Sequence, residues 1–487
     1  MVWDKGGGVV PTIKPMNTLL LMSDEHNRRM LGCAGHPLVR TPHPDALAAR
    51  GTRLTAAYCN SPLCVPSRAS LATGRYVGEI GTWDNARPYE GQFPSWGAAL
   101  AAAERPVTTI GKLDYRGDGF PDGFADQRLA AQRGETGDLL GLFRDPVMKR
   151  PGSRQRIDEA GVGESKITQR DRAVTAATVE WLERESPQLT VPWTLHVSWI
   201  APHFPLIAPQ EYFDLYPLDA IDLSATGMEP LAAQHPVVQQ LRWHFDVDEL
   251  VDEAQQRICR AAYYGLCTFL DEQVGRVLDA LERSGQAGNT RIIYLSDHGE
   301  MLGEHGLWWK CAMYEGSAGI PMIVAGPDLP QGQVCDTPVS LVDLFPTITE
   351  GVGAPTPEGL PGRSLWPLVA GASEPDRAVF CEYHGHGTPG GCYLLRRGTL
   401  KYVHYVGYQP QLFDLSADPD ERYDLAADPA YAATLADFER ELRTLTDPEE
   451  VDRRAKADQA ERLARFAARG EELPQGLPWP GEANSPH

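Results

Sequence analysis

The stretch Cys64-Val65-Pro66-Ser67-Arg68, continued through Ala69 to Thr73 and closed by Gly74-Arg75, sets a thiol directly before a short helix. Pro66 suits a first helical turn and Gly74 a stop, so the spacing predicts a helix over about Ser67 to Thr73 with Cys64 at its N-terminus. Free backbone N–H groups and the positive end of the helix dipole would then face any anion that docks beside the sulfur. A cysteine taken alone is more often a packing residue than a reactive one. The company it keeps changes that reading. Four apolar segments elsewhere each run into polar residues: Thr18 to Ser23 into Asp24-Glu25, Val107 to Ile110 into Gly111-Lys112, Trp193 to Ile200 into Ala201-Pro202-His203, and Arg291 to Ser296 into Asp297-His298.

Such segments read as buried strands that deliver a polar residue at their carboxyl ends. In an open α/β sheet, ligands bind beyond those ends. One edge of one sheet is therefore expected to collect Asp24, Glu25, Lys112, His203, Asp297 and His298 around Cys64. Helices fill the intervals. From Gln255 to Arg283 apolar residues recur at a helical period, including Leu266, Phe269, Leu270 and Val274, and the pattern stops at Gly285, so this helix should lay its stripe on the sheet. Met322 to Ala325 reads as another buried strand. After Trp366 the texture changes, and Gly371-Ala372-Ser373-Glu374-Pro375 looks like a boundary between a catalytic α/β unit (1–375) and a smaller C-terminal α+β unit (376–487). The latter has alternating segments at Tyr393 to Leu395 and Tyr402 to Tyr405, charged helices, and a proline-rich tail from Leu473 to Gly481.

With 487 residues, 42% hydrophobic and 23% charged, the chain has the composition of a soluble globular protein of two domains or a fused pair. No run approaches the ~18 apolar residues of a membrane span. Its 45 basic against 66 acidic residues give a net charge of −21, which argues against nucleic acid or an anionic membrane as partners. An anionic substrate must then be drawn by a local basic pocket. Nine cysteines without regular spacing fit a reducing cytoplasm better than a disulfide framework. Met1 to Met16 carries Gly6-Gly7-Gly8 and two prolines in place of an apolar signal core, which points the same way.

The Cys64 string resembles the type I sulfatase signature of the alkaline phosphatase superfamily, and the resemblance extends over almost the whole chain. It takes in the Ser23-Asp24 start, Gly111-Lys112, Pro202-His203, the run Ser296-Asp297-His298-Gly299-Glu300, Lys310, Tyr314-Glu315-Gly316, and Leu412-Phe413-Asp414-Leu415 with Asp418-Pro419. It implies an alkaline phosphatase-like α/β fold, a large mixed sheet sandwiched by helices, and a smaller C-terminal domain. It implies that a formylglycine-generating enzyme oxidises Cys64 to Cα-formylglycine, whose hydrate attacks the ester and whose second hydroxyl later expels the product. Metal ligands are implied at Asp24, Glu25, Asp297 and His298. Arg68 and Asn85 would support the nucleophile and the transferred group, Lys112 and Lys310 would hold sulfate oxygens, and His203 would serve the leaving oxygen. These roles suit the residue types: carboxylates bind a hard divalent cation, and lysine and arginine stabilise charge on equatorial oxygens. Taken singly, Asp297 could cap a helix, Lys310 could snorkel and His203 could be a surface histidine. Their joint order argues otherwise.

Three positions depart from the family pattern. Glu25 stands where Asp, Asn or Gln is usual. His298 replaces a common asparagine, and an imidazole ligand favours Mn²⁺ more than an all-oxygen site would, beside Ca²⁺ or Mg²⁺. Asp114 replaces the histidine of Gly-Lys-x-His, adding negative charge beside Lys112. Trp308 and Trp309 offer either core packing or an aromatic wall for a cationic leaving group. His384-Gly385-His386-Gly387 reads as the lining of a pocket mouth before it reads as a second metal site. The expected activity is cytoplasmic hydrolysis of a small sulfate ester by a homo-oligomer. The rival is a phosphonate monoester or phosphodiester hydrolase of the same fold, and a catalytically silent binding module in which Cys64 stays a thiol is the alternative from another class.

Overall fold

Long apolar runs that end in charge dictate a sheet covered on both faces, and the computed structural model has one. It describes residues 13–469 apart from 118, 145, 225 and 228, together with short strands at residues 2–3 and 9–10. The main sheet contains β1 (Asn17–Asp24), β2 (Gly51–Leu54), β3 (Val107–Lys112), β4 (Asp126–Ala131), β5 (Thr194–Pro202), β6 (Thr290–Ser296), β7 (Met322–Ala325) and β8 (Gln333–Cys335). Across the sheet the order is β8-β2-β7-β6-β1-β5-β3-β4. From β6 to β4 neighbouring strands are parallel, whereas β7 runs antiparallel to both β6 and β2. Ser23 pairs with Ser296 and Asp24 with Pro202, so the polar ends of β6, β1 and β5 finish at one level.

Alternation along β1 divides the core, because successive side chains of a strand point to opposite faces. Leu19 and Leu21 belong to one buried cluster with Phe269, Val274 and Trp181, while Leu20 and Met22 belong to another with Leu71, Phe345 and Ile348. The first cluster is supplied by α2 (Lys166–Arg184) and α3 (Glu253–Arg283), the second in part by α1 (Cys64–Thr73). Asp252 caps α3 by accepting the Gln255 N–H at 3.0 Å, which starts the helix two residues earlier than its apolar stripe suggests. Truncating a residue such as Phe269 to Ala should cost about 3–5 kcal/mol.

The helix α1 also begins earlier than expected, at Cys64 in place of Ser67. Leu63 is extended, and its carbonyl accepts the Ser67 N–H at 3.0 Å, closing a first turn that already includes Cys64. Pro66 thus falls where an N–H would have no partner inside the helix. Gly74 ends it at φ +64°, and a β-carbon there would stand 2.9 Å from Phe345, so both backbone and packing call for glycine.

Beyond residue 375 an antiparallel sheet forms from β9 (Ala378–Tyr383), β10 (Cys392–Arg397), β11 (Leu400–Tyr405) and β12 (Gln411–Asp414), paired in chain order. One face buries Phe380, Tyr402 and Leu412 against Phe438 and Leu442 of α4 (Ala432–Leu445). The last helix, α5 (Pro448–Ala468), returns to the first part of the chain, where Val451 and Ala455 pack with Val77 and Trp83 and Asp452 pairs with Arg144 at 2.8 Å. The proline-rich tail from Leu473 to Gly481 lies outside the described residues. All nine cysteines are free thiols. Among the described residues no helix is long and apolar enough to cross a membrane.

Candidate active site

The N-terminal turn of α1 meets the carboxyl ends of β1, β3, β5 and β6, and Cys64 is fully buried there. Its Sγ lies 3.2 Å from His298 Nε2 and 3.8 Å from Asp24 Oδ1. The turn is held at three points. The Val65 N–H donates to Asn85 Oδ1 at 3.1 Å, and the Ser67 hydroxyl donates to the Asp297 carbonyl at 2.6 Å. The third is Arg68, whose guanidinium donates to Asp297 Oδ2 (2.8 Å), Asp24 Oδ2 (2.9 Å), the Lys112 carbonyl (2.7 Å) and Ser198 Oγ (2.9 Å). Arg68 thus ties four strand ends to the helix that begins at Cys64, a structural hub of the site.

The backbone turns sharply where it delivers these residues. Glu25 adopts φ +65°, and its N–H and that of His298 both donate to Asp297 Oδ1 (3.2 and 2.9 Å). At the end of β3, Gly111 has φ +108° and a β-carbon would stand 2.0 Å from the Ser198 carbonyl, so only glycine lets Lys112 swing inward there. The approach to His203 is fixed by Asp171 on α2, whose carboxylate accepts the N–H groups of Ile200 (2.9 and 3.0 Å) and Ala201 (2.7 Å).

The residues present fit a divalent cation. Ligand atoms of Asp24, Cys64, Asp297 and His298 all lie within 4.8 Å of one another, and those of Asp24, Glu25 and His203 form a second such group. Hard carboxylate oxygens with one imidazole suit Ca²⁺, Mg²⁺ or Mn²⁺. Of the four expected ligands, Asp24, Asp297 and His298 share the first group, and Glu25 falls in the second with His203. One oxygen of Glu25, Oε1, is buried and accepts no hydrogen bond from the described residues, which suits a cation ligand.

Protonation follows from these neighbours. Burial opposes ionisation of Asp24, but Lys112 and Arg68 hold its carboxyl well below the usual range. Burial pushes Glu25 well above it, with Lys310 opposing and Glu300 adding to the rise. Burial would lower His298, yet Asp297 beside it lifts the imidazole to about 9. A ligating imidazole is neutral, so a cation taken up here releases that proton.

On the opposite side, Lys310 Nζ contacts Glu25 Oε2 (3.0 Å) and His203 Nε2 (2.7 Å). Burial and the Lys310 ammonium drive His203 well below its ordinary pKa, so the ring is neutral. Its Nδ1 lies 2.6 Å from the Phe204 carbonyl and therefore carries the hydrogen, leaving Nε2 to accept from Lys310. Burial disfavours the Lys310 ammonium, but Cys64, Glu25 and Asp24 raise its pKa. Lys112 pairs with Asp24 and, at 3.2 Å, with Asp114. Asp114 is buried and also accepts from Arg133 at 2.9 Å. Burial opposes its ionisation, and Arg133 with Lys112 lowers its pKa below the usual range. With Glu25 ionised and His298 neutral, the state a bound cation imposes, four carboxylates (Asp24, Glu25, Asp114, Asp297) face four cations (Arg68, Lys112, Arg133, Lys310). A dication added to that balance leaves a site attractive to an anionic ester in a chain of net charge −21.

Trp308 and Trp309 are both buried, and Trp309 meets Phe204 and Phe245 edge-on with centroids 5.8 and 5.3 Å apart. The two histidines of His384-Gly385-His386-Gly387 part company. His384 pairs with Glu382 at 2.8 Å, whereas His386 Nε2 lies 3.6 Å from Cys311 Sγ, so among the described residues they share no metal group. Sequence reasoning missed Arg133, Asp171 and Ser198. Arg133 follows the edge strand β4 with no pattern to mark it. Ser198, by contrast, is a hydroxyl inside a buried apolar run and could have been noticed.

A cysteine at a buried helix start, ringed by acid, imidazole and lysine at parallel strand ends, marks a hydrolase with the alkaline phosphatase-like fold. The solved structure of the phosphonate monoester hydrolase of Agrobacterium radiobacter matches this fold with a TM-score of 0.72, 24% identity, and coverage of 88% of this chain and 95% of that one. The chain belongs to the sulfatase family: the model described as Sulfatase matches residues 16–354, and that described as N-sulphoglucosamine sulphohydrolase, C-terminal, matches residues 303–448. Choline-sulfatase of Rhizobium meliloti (strain 1021) is 33% identical over 434 residues, 84% of this chain and 82% of the relative. Arylsulfatase K of Homo sapiens is 29% identical over 430 residues, 84% of this chain and 78% of the relative.

Proposed function

We propose that this enzyme, a sulfuric ester hydrolase by family, cleaves small sulfate monoesters with Cys64 in its formylglycine form. The observation that carries the reading is the convergence of Cys64 Sγ, Asp24 Oδ1 and His298 Nε2 at the first turn of α1, beside the strand-end lysines. The sulfur occupies the place that the hydrate oxygens would take. When formed, the hydrate supplies an oxygen nucleophile and a second hydroxyl that can collapse to the aldehyde; a divalent ion held by Asp24, Asp297 and His298, with Glu25 in reach, supplies Lewis acidity. Lys112, Lys310 and Arg133 offer donors to the equatorial oxygens of the ester. Arg68 helps keep Asp24 ionised and holds both Asp24 and Asp297 in place. Lys310 holds the proton at the leaving side, and its N–H donated to His203 Nε2 fixes where the ammonium points.

Asp114 sharpens substrate charge. Paired to Lys112, it reduces the positive charge offered to the ester, which favours a singly charged sulfate over a dianionic phosphate monoester. The same observation favours a singly charged phosphonate monoester or phosphodiester, the second reading. Eight further cysteines besides Cys64, all unpaired, support a reducing, cytoplasmic setting. The test is a panel of 4-nitrophenyl sulfate, choline sulfate, phenylphosphonate monoester and phosphodiester, run on protein coexpressed with a formylglycine-generating enzyme and loaded in turn with Ca²⁺, Mg²⁺ and Mn²⁺. Sulfate turnover with the highest kcat/KM supports the first reading; a preference for the phosphorus esters replaces it with the second.

A further inference from the structure

Beside the strand-end site lies a second set of buried polar side chains that this chemistry leaves unused. Asp138, Arg150, His244 and His386 are each more than nine-tenths buried. Asp138 Oδ2 and Arg150 pair at 2.8 Å, the Arg150 backbone N–H donates to the His244 carbonyl at 2.7 Å, and the His244 and His386 rings stack with centroids 5.4 Å apart. Each nevertheless keeps one buried polar atom without a hydrogen-bond partner among the described residues: Asp138 Oδ1, Arg150 Nη1, His244 Nε2 and His386 Nδ1. Buried polar atoms are nearly always paired in native proteins, so four in one cluster mark a place where something polar binds.

The cluster adjoins the reacting centre. The Asp138 N–H donates to the Asn85 carbonyl at 3.0 Å, and the Asn85 side chain holds the N–H next to Cys64. On its other flank, His386 contacts Cys311, the neighbour of Lys310, and Phe245 touches both His386 and Trp309. That wall runs on to Phe204, over which Lys310 Nζ lies at 4.8 Å. The position is thus on the leaving-group side of the site.

Donor and acceptor types narrow the ligand. Arg150 Nη1 can only donate. Burial opposes ionisation of Asp138, but Arg150 beside it brings it down to about 2, so Oδ1 only accepts. His244 Nδ1 faces the Met148 carbonyl and carries the hydrogen, and burial with Arg150 lowers the ring to about 4, so Nε2 accepts. Donor and acceptors side by side complement hydroxyl groups, which both give and take. A quaternary ammonium offers no hydrogen bond to any of them. Building on the sulfate-ester reading, we infer that Asp138, Arg150, His244 and His386 form the subsite for the alcohol half of the ester, and that this alcohol is polyhydroxylated, a sugar-like ring.

The test uses formylglycine-bearing protein on 4-nitrophenyl sulfate, choline sulfate and the monosulfates of glucose and galactose. At least one sugar sulfate should exceed choline sulfate in kcat/KM by about tenfold or more, as hydrogen-bonding subsites discriminate. Asp138→Asn and His386→Phe should then lower kcat/KM on that sugar sulfate about tenfold or more, mainly through KM, and change 4-nitrophenyl sulfate by less than about threefold. His386→Phe touches no ion pair and carries the test if Asp138→Asn does not fold. A second readout is calorimetric binding of the same sugar sulfate to Cys64→Ala protein, which His386→Phe should weaken by a similar factor. The inference is overturned if choline sulfate or 4-nitrophenyl sulfate outruns every sugar sulfate, or if the variants affect all substrates alike or none. Wild-type protein that turns over no sulfate ester refutes the sulfate reading itself, and this inference with it.

Discussion

At the strand ends charges neutralise one another: Arg68 binds Asp24 and Asp297, Lys112 binds Asp24 and Asp114, and Lys310 binds Glu25. At the neighbouring cluster of Asp138, Arg150, His244 and His386 one ion pair forms among the described residues, and every member retains a polar atom unmatched by them. The first region is mounted on the ends of adjacent parallel strands, whose spacing is set by the ladder, and so can hold a fixed reaction geometry. The second is assembled from loops and helix ends distant in sequence. Chemistry common to a class of esters belongs on the rigid floor; selection among alcohols belongs on the loops that can vary.

Removing an arginine from each region tests that contrast. Arg68→Ala strands two buried carboxylates on the floor and should cost about 3–5 kcal/mol together with turnover, read by calorimetric unfolding and assay. Arg150→Ala strands one, and should cost about 1–3 kcal/mol. Equal losses would erase the distinction between a structural hub and a binding group.

Chelation comes next in size. A cation at 100 times its Kd stabilises a folded protein by about 2.7 kcal/mol, so a chelator should lower both activity and Tm, and adding back Mn²⁺, Ca²⁺ or Mg²⁺ should restore both. A Tm indifferent to chelator would mean that the strand-end carboxylates are balanced by Arg68 and the lysines alone.

A smaller effect is expected at Asp114. Asp114→Asn and Asp114→His remove the charge paired to Lys112 and should raise activity on a dianionic phosphate monoester relative to a sulfate monoester by about tenfold, the value of one pKa-unit of interaction. An unchanged ratio in both variants would show that Asp114 serves Arg133 and not the substrate.

The smallest concerns the support behind His203. Burial pushes Asp171 up to about 7, with the N–H groups of Ala201 and Ile200 opposing. An unfolded aspartate titrates near ~4, so between about pH 4 and 7 the folded protein holds a proton that the unfolded chain has lost. Stability from this group is present below that window and is lost as pH rises through it. Asp171→Asn should flatten the fall in Tm from pH 4.5 to 7; an unaltered slope would show that Asp171 stays ionised against its backbone donors.

Much of the floor was legible because a buried parallel strand writes itself as a continuous apolar run, and the residue after the run must sit at the sheet edge. Asp24, Lys112, His203 and Asp297 were placed in this way, and the structure brings them together with Cys64. Helix α1 is legible but for its start: Pro66 suits a first turn and predicts an onset near Ser67, whereas the turn closes on the Leu63 carbonyl and begins at Cys64. Glu25 and His298 show a finer limit: the family resemblance implies one ligand set for both, yet geometry groups Glu25 with His203. Arg133, Asp138, Arg150 and His244 were not visible. They lie in or beside loops without periodicity, and their meeting depends on how chain segments around residues 135, 150, 244 and 386 pack, which no local pattern encodes.

The account stands on Cys64 acting as formylglycine. Protein made with and without a formylglycine-generating enzyme should differ in the Cys64 peptide by loss of about 18 Da, the change on replacing the thiol by a carbonyl oxygen. Specific activity on a sulfate monoester should rise in proportion to the converted fraction and vanish in Cys64→Ala, with Tm kept. Full activity in unconverted protein or in Cys64→Ala would contradict it.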